Sequence, residues 1–176
     1  YYLSDSVQVS GNQTLSVTTG NITIDDTSTI QTAINGDGVI GNDILTLDAE
    51  NGDVIINAVI GGNPTDGTTV YNETDVLEGL NVSGENITFN ESVTLNGDFI
   101  INATGVVTFE KAVSITSGDL SILGASQVIF KGGVSVIDGD ITLEANEVDL
   151  TSTVTSFGGN GILAIKTVSN SLGLEI

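Results

Sequence analysis

The residues of this 176-residue chain best suited to chemistry are its asparagines and its carboxylates. Asn-X-Ser/Thr triplets begin at Asn12, Asn21, Asn72, Asn81, Asn86, Asn90 and Asn102. That triplet is the acceptor pattern for N-linked glycans on exposed positions of secreted proteins. It also arises wherever Asn-rich turns abut Thr-rich strands, and this plainer origin weighs slightly more. The acidic turns suit calcium. The run Asn35-Gly36-Asp37-Gly38-Val39-Ile40-Gly41-Asn42-Asp43 has the texture of the Gly/Asp nonapeptides that bind Ca2+ between β-coils. One partial copy supplies few oxygens, so a turn is the stronger reading and no cofactor other than Ca2+ enters consideration. No catalytic residue and no metal ligand is assigned.

Composition removes most other chemistry. Three cations (Lys111, Lys131 and Lys166) face 23 acidic residues, for a formal charge of −20. Nucleic-acid binding draws on Lys and Arg, and an anionic membrane repels this balance, so neither is an expected partner. With neither His nor Cys, zinc, haem and iron–sulfur sites, disulfides and His-dependent nucleophiles cannot be built. Apolar content of 39 % is ordinary, so the acidity does not signal disorder. The chain opens on Tyr1-Tyr2 without Met, which reads as a processed protein or a piece of a longer one.

The elements that must position these residues are strands. Val7-Gln8-Val9, Ile22-Thr23-Ile24, Leu45-Thr46-Leu47, Ile87-Thr88-Phe89 and Val93-Thr94-Leu95 each alternate apolar, polar, apolar, with Gly, Asn and Asp between them. The alternation predicts an all-β fold.

A repeat fixes the expected architecture. Gly-Asp recurs at 97–98, 118–119 and 139–140, and six apolar columns keep the same 20–21-residue step. Phe99, Leu120, Ile141 and Ile162 form one; Ile101, Ile122, Leu143 and Ala164 a second; Val107, Val128, Val148 and Val168 a third. Phe89, Phe109, Phe130 and Leu150 follow, then Val93, Val113, Val134, Val154 and Leu174, and last Leu95, Ile115, Val136, Ser156 and Ile176. Six inward columns imply three short strands per coil. The expectation is a single domain over 1–176, a right-handed parallel β-helix (β-solenoid) of about eight coils and about 40 Å. Coils are regular over 80–176 and looser over 1–79, with a loop protruding near 61–69. Outward, Thr94, Ser114, Ser135 and Thr155 form a column, and Ile129 is an outward exception to the polar pattern.

The segment Asn96 to Asp140, with Gly97-Asp98-Phe99-Ile100-Ile101-Asn102-Ala103-Thr104-Gly105-Val106-Val107-Thr108-Phe109, resembles the degenerate repeats of large bacterial surface proteins of the filamentous-haemagglutinin type. The resemblance is one of repeat style over the last two thirds of the chain. It implies a secreted β-helical shaft used in adhesion, matrix or fibre formation.

Function follows from the shaft and its ends. The expected role is an extracellular, cell-surface structural protein whose open ends associate end to end into a filament or matrix fibre. A stalk segment of a giant adhesin is the alternative, with contact to a glycan or to a host or neighbouring-cell surface. A polysaccharide-acting β-helix enzyme is the least supported reading. Such enzymes need a cationic base, or paired carboxylates with aromatic platforms, whereas the three Lys are isolated and the Phe residues fit core columns. The acidity is expected at corners, where it opposes sideways association and leaves the ends unguarded.

Overall fold

The computed structural model describes residues 2–3, 7–25, 33–36, 43–61, 76–150 and 161–168. Every regular element among them is a strand. In chain order these are β1 (Tyr2–Leu3), β2 (Val7–Val9), β3 (Gln13–Ser16), β4 (Ile22–Ile24), β5 (Ala33–Gly36) and β6 (Ile44–Asp48). Next come β7 (Val54–Ile56), β8 (Val59–Ile60), β9 (Gly79–Gly84), β10 (Ile87–Phe89), β11 (Val93–Leu95) and β12 (Asp98–Ala103). The series closes with β13 (Val106–Phe109), β14 (Val113–Ser117), β15 (Leu120–Phe130), β16 (Val134–Asp138), β17 (Ile141–Leu150) and β18 (Leu163–Lys166).

All pairings among the described residues are parallel, and the sheets curl into a half-barrel. One row runs β3-β6-β9-β12-β15-β17-β18, and a second runs β1-β4-β7-β10-β13-β15-β17. The long strands join the two: Leu120–Leu123 of β15 pairs with β12, and Gln127–Phe130 pairs with β13. A separate six-stranded sheet has the order β16-β14-β11-β8-β5-β2. The cause is local. Three-residue strands such as Ile87–Phe89 and Val93–Leu95 bury their first and third side chains and leave the middle Thr half-exposed.

Register reproduces the apolar columns over the middle of the chain. Ile87 pairs with Val107, Val107 with Val128, and Val128 with Val148, steps of 20 or 21. Phe99, Leu120 and Ile141 align, as do Val93, Val113 and Val134. The outward column Thr94–Ser114–Ser135 aligns too, while Thr155 lies outside the described residues. Inside, Phe89, Phe109 and Phe130 stack with ring centroids 5.0 Å apart and planes within 6°. Phe99 meets Phe89 and Phe109 edge-on. Identical residues on successive rows thus give one continuous aromatic stack in a narrow core.

The register departs from a 20–21 step in two places. First, over the looser stretch 1–79 the step is longer: Ile22 pairs with Val54 and Val54 with Ile87, steps of 32 and 33. The two longest rows each hold seven strands among the described residues, beside an expectation of about eight coils. The extra length lies between β4 and β5, between β5 and β6 and between β8 and β9, and, like nearly all of the predicted loop near 61–69, falls mostly outside the described residues. Second, Ile141 pairs with Leu163 and Leu143 with Ile165, a step of 22 that displaces Ile162 and Ala164 from their columns. The cause is a glycine column. A Cβ on Gly97, Gly139 or Gly161 would collide with the carbonyl oxygen of Glu78, Gly118 or Gly139 respectively. Gly161 fills the slot that Gly139 fills one row earlier, and that slot sets the phase of everything after it. Ile162 is left 69 % exposed. Val168, placed by spacing in a core column, is 42 % exposed. Val154, Ser156, Leu174 and Ile176 lie outside the described residues.

Candidate functional site

Polar side chains gather in ladders where strands meet turns. At the Gly-Asp turn, Asp98 Oδ1 accepts the Asp119 N–H at 3.0 Å, and Asp119 Oδ1 accepts the Asp140 N–H at 2.8 Å. Asp140 Oδ1 then accepts the Ile162 N–H at 2.8 Å. Each carboxylate satisfies a backbone donor of the next row. This explains why like charges recur there: charge-assisted hydrogen bonds to N–H groups offset the repulsion, which solvent also screens.

A second ladder precedes the row that contains β4, β7, β10 and β13. Asn21 Oδ1 accepts the Asp53 N–H at 2.9 Å. Asp53 Oδ1 accepts both the backbone and the side-chain N–H of Asn86, at 3.2 and 2.9 Å. Asn86 Oδ1 accepts the Val106 N–H at 3.0 Å. A third ladder follows those strands: Asn57 Nδ2 donates to Asp25 and Asn90 Nδ2 donates to Asn57. One row-to-row position further, Lys131 pairs with Glu110. The acidity and the Asn content thus specify how one row sits on the next.

The structure separates the sequon asparagines. Asn12, Asn21 and Asn102 are exposed, whereas Asn81, Asn86 and Asn90 are half-buried. Asn86 and Asn90 are built into ladders, and Asn81 Nδ2 reaches Thr46 Oγ1 at 3.4 Å. Asn72 lies outside the described residues. Of the calcium-like run Asn35 to Asp43, residues 37–42 also lie outside them. Asp43 is buried, and its Oδ1 accepts the Gly11 N–H at 2.9 Å. Among the described residues, no three Asp or Glu side chains gather to hold a metal ion. Nor is any helix long and apolar enough to cross a membrane.

One open groove of about 460 Å3 crosses several rows, lined by Glu50, Ser83, Asn102, Thr104, Leu123 and Glu144, together with Gly84, Ala103 and Gly124. Sequence reasoning missed it, because its lining comes from four strands and the turns after β6 and β12. Its two carboxylates sit at opposite ends. Glu50 follows β6 and Glu144 belongs to β17, with β9, β12 and β15 between, so roughly 19 Å separates their rows at about 4.8 Å per strand. Carboxylates that flank one glycosidic bond are about 5–9.5 Å apart. The groove's surface is more carbon than polar atom, with hydroxyl and amide groups from Ser83, Thr104 and Asn102, and its two carboxylates stand too many rows apart to form an acid–base couple.

No family model, curated protein or solved structure matches the chain.

Proposed function

We propose that this chain is an extracellular structural protein, a right-handed parallel β-solenoid with three short strands per coil that stacks end to end into a surface filament or matrix fibre. The two rows joined through β15 and β17 form two faces of the coil, and the six-stranded sheet forms the third. The step of 20–21 residues belongs to the coils after about residue 80. About seven coils, each near 4.8 Å, give a subunit of roughly 34 Å along the axis.

The observation that carries the assembly is the state of the outermost strands. Among the described residues, β18 pairs only with β17 and β3 only with β6, at opposite ends of one parallel row. Near β18 the apolar residues Ile162, Leu163 and Val168 are exposed. Two unlike edges of one row meet head to tail, a contact that propagates and does not close. An uncovered parallel edge is otherwise an aggregation hazard.

Electron microscopy and sedimentation of the purified chain test this. Filaments with an axial repeat of roughly 34 Å are expected. Dispersed single particles across the concentration range would refute the assembly. A blank screen for glycan hydrolysis or elimination is expected, and turnover would refute the structural reading.

A further inference from the structure

We infer that Asn102 and Asn12 are positions at which the folded chain has room for N-linked glycans, and that Asn86 and Asn90 are barred from carrying them. This goes beyond the filament reading; at Asn102 it is independent of it, whereas a glycan at Asn12, beside β3, belongs to a subunit whose β3 edge is not yet stacked. The adduct is an oligosaccharide from a lipid-phosphate-linked donor, attached by a transferase of the host. The asparagine Nδ2 forms a bond to the anomeric carbon, the bond from that carbon to the phosphate oxygen breaks, and the lipid phosphate leaves with the electron pair. A base on the transferase takes one proton from Nδ2. The asparagine keeps one N–H and gains a bulky substituent, so the question is which amides have room for it.

Asn86 has none. Its Nδ2 donates to Asp53 on one neighbouring row, and its Oδ1 accepts from Val106 N on the other. Strands in such a stack lie about 4.8 Å apart, too close for a sugar between them. A Cβ on Gly105 would already collide with Asn86 Oδ1. Asn90 is held toward one neighbouring row, its Nδ2 donating to Asn57 Oδ1. Displacing either amide leaves a half-buried acceptor without its donor.

Asn102 differs in each respect. It is exposed, it sits outward on β12 between Ser83 and Leu123, and no hydrogen bond to a described residue engages its side chain. Thr104, the hydroxyl residue of its triplet, is exposed beside it. Both line the open groove, so a sugar on Nδ2 projects into free space flanked by Ser83 and Glu144. Asn12 and its Thr14 are likewise exposed, at the turn into β3, the outermost described strand of its row.

The full chain is expressed in an N-glycosylating cell, where the transferase meets it before folding is complete. The protease-resistant folded fraction is separated from the misfolded fraction, and each is mapped by glycopeptide mass spectrometry. Asn102 and Asn12 should be occupied in the folded fraction. Occupancy of Asn86 and Asn90 should be at least about tenfold lower there than in the misfolded fraction, as loss of a half-buried hydrogen bond, to a carboxylate for Asn86 and to an amide oxygen for Asn90, implies. Equal occupancy in the two fractions, or bare Asn102 and Asn12 in the folded one, would overturn the inference. As a second measurement, Asn102→Gln should fold in wild-type yield and lose one glycan mass. A drop in its folded yield as large as that of Asn86→Gln would also overturn it.

Discussion

Replacing Phe109 by alanine removes the middle ring of the stack Phe89–Phe109–Phe130, and with it both 5.0 Å ring contacts and the edge contact to Phe99. The side chain is 1 % exposed and its neighbours are held by the ladders of adjacent rows, so the space cannot collapse. A Phe→Ala change in such a core costs about 3–5 kcal/mol, and the rigid surroundings argue for about 4. Phe109→Leu retains most of the volume and forfeits the ring pairs, each worth about 0.5–1.5 kcal/mol, so about 2 kcal/mol is expected. Urea unfolding followed by far-ultraviolet circular dichroism measures both. For a chain of this size, 1 kcal/mol moves Tm by roughly 2–4 °C, so the alanine variant should melt roughly 8–16 °C lower. Leu150→Ala, at the half-buried end of the same column, should cost less than Phe109→Ala. A cost for Phe109→Ala below about 1.5 kcal/mol, or equal costs for Leu and Ala, would refute the stacked-core argument.

Asp119→Asn keeps an oxygen to accept the Asp140 N–H and removes one charge from a column of three, so it should be neutral or slightly stabilising at low salt. Asp119→Ala loses the acceptor and should cost about 0.5–1.5 kcal/mol, and equal melting of the two variants would contradict the ladder. Gly139→Ala drives a methyl into the Gly118 carbonyl oxygen, and a cost of about 1–3 kcal/mol is expected in the same urea assay. Lys131→Ala breaks an ion pair whose side chains are 45 % and 34 % exposed, so a change under about 1 kcal/mol that shrinks with added salt is expected.

The middle of the fold was legible because residues of one type recur at nearly constant spacing: Phe89, Phe109 and Phe130 announce their own column. The phase of the last row was not, because Ile162, Leu163, Ala164 and Ile165 are all apolar and alternation cannot choose between them. Gly161 held the answer, since backbone clearance tolerates no side chain in its column. The ladders were also written in the chain. Asn21-Ile22-Thr23-Ile24-Asp25, Asp53-Val54-Ile55-Ile56-Asn57 and Asn86-Ile87-Thr88-Phe89-Asn90 share one pattern, but steps of 32 and 33 residues hide it from a search at 20–21. The groove left no signal, because its lining residues meet only once the strands are stacked.

The ladders join each row to its neighbours. Rows as far apart in sequence as Asn21 and Asp53, or as close as Asn86 and Val106, use the same side-chain-to-backbone bond. Connection length is therefore free to drift in evolution while the seam between rows stays fixed. A duplicated row inserts wherever its Gly, Asp and Asn corners match those above and below. Growth by unequal exchange of gene segments needs no redesign of the interior, which makes the length of such a protein an adjustable quantity.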